Sequence, residues 1–195
     1  MSVGVAVAAT VLLSAERACY VWIARAPDAF RAWCARPAVA WAGEPVAVVR
    51  RLFYAFKFLQ AAVFLGWCYV HGHGSLVPTG RDVPVVALAG AAIVVGQILN
   101  WSVFYRLGWI GAFFGNPLGY DVRWSREFPF SLLSHPQYVG TVLTILGFFA
   151  IMRFPHDDWF VLPALETSYY LVGGYLEATA RHRPRQHCEP ARDRQ

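Results

Sequence analysis

From Phe128 to Gly140 the chain reads Phe-Pro-Phe-Ser-Leu-Leu-Ser-His-Pro-Gln-Tyr-Val-Gly, a polar, proline-broken run set directly before an apolar block. Irregular backbone beside a bilayer persists only where it is buried in protein or lines a wet cavity, so the run marks a candidate site. His135 precedes proline and is pushed out of the helical region. Pro136 suits the first turn of the helix that follows. An imidazole there is a candidate proton acceptor at neutral pH; a plain surface histidine at a helix start is the alternative. Tyr138 and Thr141 lie on one side of the same helix start. A second set, Glu166, Tyr170, Gly173, Gly174 and Glu177, has offsets of four, seven, eight and eleven, which place it on one helical face. An ionisable residue in an apolar span is expensive and points to function. Glu166 equally suits an ion pair with another span, and Glu177 a solvated carboxylate near the interface.

Other residues add to these. Gly96 and Asn100 share a face at i, i+4 with Gln97 between them, and amides so placed want a ligand or a bond to a neighbouring helix. Gly108, Gly111, Gly115 and Gly119 recur in rhythm, the first three with the spacing of one helical face. Close helix packing is the simpler reading; a bare backbone surface for a ligand is the sharper one. Lys57, the only lysine, snorkels to the interface or contacts a phosphate. The four cysteines, Cys19, Cys34, Cys68 and Cys188, lack metal-ligand or disulfide spacing, and His71 and His73 have no evident metal partners.

The elements that must position these residues are membrane helices. The chain is 57% hydrophobic and 15% charged, with a mean hydropathy of +0.39. A soluble domain would carry about a quarter charged residues. The expected fold is an all-α membrane protein, a single domain of four to five transmembrane helices with an interfacial cytosolic site. Apolar blocks run over 1–24, 52–70, 83–105, 138–154 and 159–177, followed by a basic tail over 178–195. The first block is interrupted by Glu16 and Arg17 and is either a full span or partly interfacial; without a basic region ahead of it, it does not read as a cleaved signal peptide. Arginine-rich and arginine-poor connections alternate, which predicts a cytosolic tail and puts the 106–137 connection on the same face as Glu177. The net charge of +5 is mostly this signal, with a tail suited to anionic lipid and no patch suited to nucleic acid.

In order and spacing these pieces resemble the phospholipid N-methyltransferase family, most closely its plant-type members. The resemblance runs from Lys57 to Arg183. It is carried by Gly96-Gln97-Ile98-Leu99-Asn100, the glycine rhythm ending at Gly115, Glu127-Phe128-Pro129-Phe130, Pro136-Gln137-Tyr138-Val139-Gly140, and Tyr175 with Glu177. Two elements depart from the family pattern. Val94-Val95-Gly96 keeps one glycine of a Gly-x-Gly element, and Leu176-Glu177 holds one of two consecutive glutamates.

The resemblance implies S-adenosylmethionine as methyl donor and membrane amino-phospholipids as substrates, chiefly at the second and third methylations toward phosphatidylcholine. It implies an endoplasmic reticulum location. It assigns cofactor binding to Gly96, Asn100, Gly111, Gly115, Tyr138, Gly140 and Glu177. Glu127, His135 and Tyr138 become candidates to accept the proton, and Trp109, Trp124, Phe128 and Phe130 to hold the ammonium by cation–π contact. Competing readings are an isoprenylcysteine carboxyl methyltransferase-like enzyme, a sterol-type reductase, and a non-enzymatic helical scaffold or small transporter.

Overall fold

Proline sets where most of the helices begin. The computed structural model describes residues 3–80 and 82–181, with side chains through Leu176. Seven helices follow in order: α1 (Val3–Arg25), α2 (Pro27–Cys34), α3 (Pro37–Ala40), α4 (Pro45–His71), α5 (Val83–Ala112), α6 (Pro136–Arg153) and α7 (Val161–Arg181). Pro27, Pro37, Pro45 and Pro136 each open a helix, where the missing N–H would be unpaired anyway. There is no strand among the described residues. The helix α4 begins seven residues before the expected block at 52, because Pro45 starts the helix ahead of its apolar stretch.

Three of these helices, α1, α4 and α5, are long and apolar enough to cross a membrane. At 1.5 Å per residue, the 23 residues of α1 reach beyond the hydrocarbon thickness of about 30 Å. Glu16 and Arg17 do not break that helix, because both are buried inside the bundle.

Around the bundle the order of packed neighbours is α5, α6, α7, α1, α4. The consecutive helices α4 and α5 do not pack extensively on each other, so the ring is an open horseshoe. Two apolar cores hold it. One joins Leu13, Phe64, Trp67, Phe149, Leu162 and Tyr170 across α1, α4, α6 and α7. The other joins Tyr20, Ile23, Phe30, Val49, Phe113 and Leu118 across α1, α2, α4 and the coil after α5.

The longest contact in the fold is between α5 and α6, and glycine makes it possible. A Cβ on Gly96 would stand 2.4 Å from the Gly140 carbonyl oxygen, and one on Gly147 2.5 Å from that of Ala89. Backbones approach this closely only without side chains between them.

The end of the bundle away from the arginine-rich connections is pinned by one ion pair. Arg153 at the end of α6 donates to Asp158 (2.9 and 2.8 Å) and to the His71 carbonyl (2.8 Å), while Trp67 Nε1 also donates to Asp158 (3.1 Å). Thr79 and Gly80 bond back to the end of α6, which draws the α4–α5 connection onto the same corner. Burial would raise the Asp158 carboxyl, but the Arg153 and Trp67 hydrogen bonds and the Arg153 charge outweigh it and hold the pKa below the usual value. A depressed carboxylate contributes stability at neutral pH that is lost as pH falls through its folded-state value. Breaking a buried pair from one side costs about 3 kcal/mol. Asp158→Asn should therefore lower the thermal midpoint of purified protein in detergent at pH 7, with the gap to wild type closing as the pH is taken below the ordinary aspartate range.

Candidate active site

A chamber of about 990 Å³ fills the mouth of the horseshoe. Its floor is Phe64 and Phe148, whose rings lie 6.1 Å apart. Its roof is the coil after α5, where Phe113 packs on Phe53 at 5.1 Å. Between floor and roof the gap from α4 to α5 forms a lateral window, edged by Tyr54, Lys57 and Ala61 on one side and Gln97, Asn100 and Trp101 on the other. Tyr54 and Trp101 are exposed at its edge, as amphipathic aromatics are at a membrane surface. A second approach lies at the arginine-rich end, where Asn116, Trp124 and Ser134 line the chamber and are exposed.

The roof exists because α5 breaks. Gly108 takes φ +63° and ψ −179°, and the chain beyond it turns over the chamber. That conformation is essentially restricted to glycine and costs other residues about 1–3 kcal/mol. No atom lies within 4 Å of an added Cβ at Gly108, so the cost of Gly108→Ala is purely one of backbone conformation. We expect it to lower the thermal midpoint, with the unobstructed Gly90→Ala as a control that does not.

Of the residues picked out by sequence, His135, Tyr138, Asn100, Gly111 and Gly115 come together on the chamber wall. His135 caps the start of α6 and its ring stacks on that of Tyr138 (5.4 Å, 13°). Tyr138 in turn meets Tyr170 edge-on at 5.2 Å. The Asn100 amide oxygen is buried without a partner among the described residues. Gln97, its neighbour, bonds Thr144 on α6 at 3.0 Å, the helix–helix alternative for these amides.

Gly96 and Gly140 stand instead at the α5–α6 crossing, off the chamber wall, and serve packing there. The later glycines do not form one continuous face. Gly108 is a kink, and Gly111 and Gly115 fold against Val122, where a Cβ would meet that side chain at 2.7 and 2.8 Å. Gly119, at φ +95°, faces Arg31. Glu127 is exposed at the rim and pairs with Arg106. Trp109, Trp124 and Phe130 line the chamber; Phe128 does not. Glu177 belongs to the last turns of α7, and its side chain lies outside the described residues. His71 and His73 join no metal-holding group among the described residues, and Cys19, Cys34 and Cys68 are free thiols.

Sequence reasoning did not assemble the polar cluster deep in the wall. Glu16 on α1 pairs with Arg17 (3.2 Å) and with Lys57 on α4 (3.2 Å). Lys57 therefore does not snorkel; it also bonds Gln60 (3.0 Å), whose amide donates to the buried Glu166 of α7 (2.9 Å). The Arg17 guanidinium lies 3.9 Å from the Tyr170 ring and 5.9 Å from that of Tyr138. The signal was present as two charged residues inside an apolar block and one lysine inside another; the missing step was that α1 and α4 are neighbours.

With this geometry the comparisons with known proteins become informative. Residues 84–179 match the model of the phospholipid methyltransferase family. That segment is similar to a phospholipid methyltransferase domain. It spans α5, α6 and nearly all of α7, together with the coil between α5 and α6. A phosphatidyl-N-methylethanolamine N-methyltransferase of Arabidopsis thaliana is 40% identical over 52 residues, which are 27% of this chain and 32% of that protein. No solved structure matches. The helices α1, α2 and α4, which supply the rest of the chamber wall, lie outside the matched segment.

If Gly96 serves packing, Gly96→Ala must push a backbone oxygen aside. The expected result is loss of folded protein by size-exclusion chromatography in detergent, whether or not a cofactor is added.

Proposed function

We propose that this protein is an S-adenosylmethionine-dependent phospholipid N-methyltransferase, acting on phosphatidyl-N-methylethanolamine and phosphatidyl-N,N-dimethylethanolamine. The observation that carries this reading is the chamber. It is walled in large part by the family-matched segment, open sideways between α4 and α5, and ringed by aromatic faces suited to an alkylated ammonium. The same reading places α6 and α7 beside the three long apolar helices as further spans. It puts the arginine-rich end in the cytosol and the protein in the endoplasmic reticulum.

Methyl transfer from a sulfonium to an amine is an in-line displacement. The nitrogen lone pair forms the new N–C bond as the C–S bond breaks, and its electrons pass to sulfur. The protein's share is to hold the two groups near attack distance, exclude water, and keep the nitrogen unprotonated. The amino-lipid enters through the lateral window with its acyl chains still in the bilayer. Trp109, Trp124 and Phe130 face the headgroup, and their π-faces favour the methylated cation over a neutral amine. His135 takes the proton, directly or through water, with Tyr138 as its stacked neighbour. Glu127, held by Arg106 at the rim, is less well placed for that step. Asn100 offers its carbonyl oxygen to a donor group of S-adenosylmethionine, and Gly111 and Gly115, though packed on Val122, line the chamber near the roof. Glu177 is assigned to the cofactor's positive charge.

The test is transfer of label from methyl-labelled S-adenosylmethionine by the full chain in vesicles, offered ethanolamine, monomethyl and dimethyl phospholipids separately. Label in the monomethyl and dimethyl lipids is the expected result; none in any of the three, from folded protein, overturns the reading. General-base catalysis contributes about 10²–10⁴-fold, so His135→Gln should lower kcat by at least about a hundredfold.

A further inference from the structure

The chamber wall holds a cationic group that methyl transfer does not itself use. Arg17 and Tyr20 are each only 8% exposed. Among the described residues the Arg17 Nε and the Tyr20 hydroxyl are buried without hydrogen-bond partners, and both residues line the chamber. A polar group left unpaired in a dry wall is costly, and a ligand that completes it recovers that cost on binding. Glu16 Oε1 lies 3.2 Å from both cations and its Oε2 accepts from Lys57 at 3.4 Å, all longer than the ~2.7–2.9 Å of a tight charge-assisted bond. Glu16, Arg17 and Lys57 together carry one net positive charge. Glu166 stands behind Gln60, 1% exposed and off the chamber wall. The missing partner is therefore a singly charged anion rich in acceptor oxygens.

The window indicates where that anion comes from. Lys57 stands on the α4 edge between Tyr54 and Ala61, with 29% of its side chain exposed, so whatever enters between α4 and α5 passes it first. We propose that Arg17, Lys57 and the Tyr20 hydroxyl form a subsite for the phosphodiester of the incoming lipid. The proposal rests on the methyltransferase reading of the chamber and names how its substrate is held. With the phosphate on Arg17, whose guanidinium lies 5.9 Å from the Tyr138 ring, the two-carbon linker delivers the headgroup nitrogen to Tyr138 and His135. Every residue of the subsite lies outside the segment 84–179, so lipid recognition comes from the N-terminal helices and the methyl-transfer residues from the matched domain.

The experiment uses the full chain in vesicles. KM is measured for dimethyl phospholipid at saturating S-adenosylmethionine, and for S-adenosylmethionine at saturating lipid. A charge-assisted contact is worth at least about a factor of ten, so Arg17→Gln and Lys57→Gln should each raise the lipid KM about tenfold, with the S-adenosylmethionine KM unchanged. Arg17→Lys, which keeps the charge, should recover part of the loss. A merely structural role would lower thermal stability and kcat without separating the two KM values, and that pattern overturns the proposal. So does a rise confined to the S-adenosylmethionine KM, which would place its carboxylate on Arg17, or no change in either.

Binding of phosphatidylcholine and of diacylglycerol, read by tryptophan fluorescence, separates the subsite from the catalytic reading. Binding of phosphatidylcholine that weakens in Arg17→Gln, with diacylglycerol bound equally by both proteins, supports the subsite even if no methyl is transferred. Equal binding of phosphatidylcholine by variant and wild type overturns it.

Discussion

Burying Glu16 and Arg17, with Lys57 half-buried beside them, inside a bundle of apolar helices is the constraint on which the rest of this structure depends. Charges so withdrawn from water need one another and need polar neighbours. They find them only because α1 lies between α4 and α7, so that Gln60, Glu166 and three tyrosine rings close around them. The cluster falls at the junction of the two apolar cores, between Leu13 and Tyr20 on α1 and between Val49 and Phe64 on α4. Neither core continues through it, and the chamber occupies the break. Pocket and polar wall are thus two aspects of one packing solution.

The opposite side of the horseshoe is governed by absence of side chains. Gly96, Gly140 and Gly147 let α5 and α6 approach until no side chain fits between their backbones, which makes this pair the most extensively packed in the fold. It presents Asn100, Thr144, His135 and Tyr138 at a fixed distance from one another. The coil released by Gly108 then reaches across to α4, α2 and Glu44, where Tyr120 donates at 2.9 Å and the bond pushes its hydroxyl pKa up. A rigid helix pair, a bridging coil and a charged wall together define the enclosure.

Much of this was legible in the sequence. The apolar blocks, Pro136 as a helix start, and the α7 face of Glu166, Tyr170, Gly173 and Gly174 all follow from spacing, and that face does pack inward on α1 and α6. The motifs around Gly96, Phe128 and Tyr138 also pointed to the family whose model residues 84–179 match. What spacing could not supply was which helix neighbours which. Lys57 looked like a snorkelling side chain because its partner, Glu16, lies 41 positions away on another helix. The glycines from 108 to 119 looked like one face because a helical wheel assumes a continuous helix, and Gly108 ends it. Gly96 fitted a cofactor contact and a helix crossing equally well until Gly140 was seen opposite it.

The open side between α4 and α5 means that one enclosure touches two solvents. On the proposed reading its lateral edge meets acyl chains and its upper edge meets water. Molecules therefore reach it sorted by partition coefficient before any side chain tests them: an amphiphile arrives along the plane of the bilayer, a nucleoside along the normal. Neither has to vacate the other's route, and a lipid product of the proposed reaction can drift back into its leaflet without ever being dissolved. On such a protein, changing the surrounding lipid alters the local concentration of one reactant and leaves that of the other untouched.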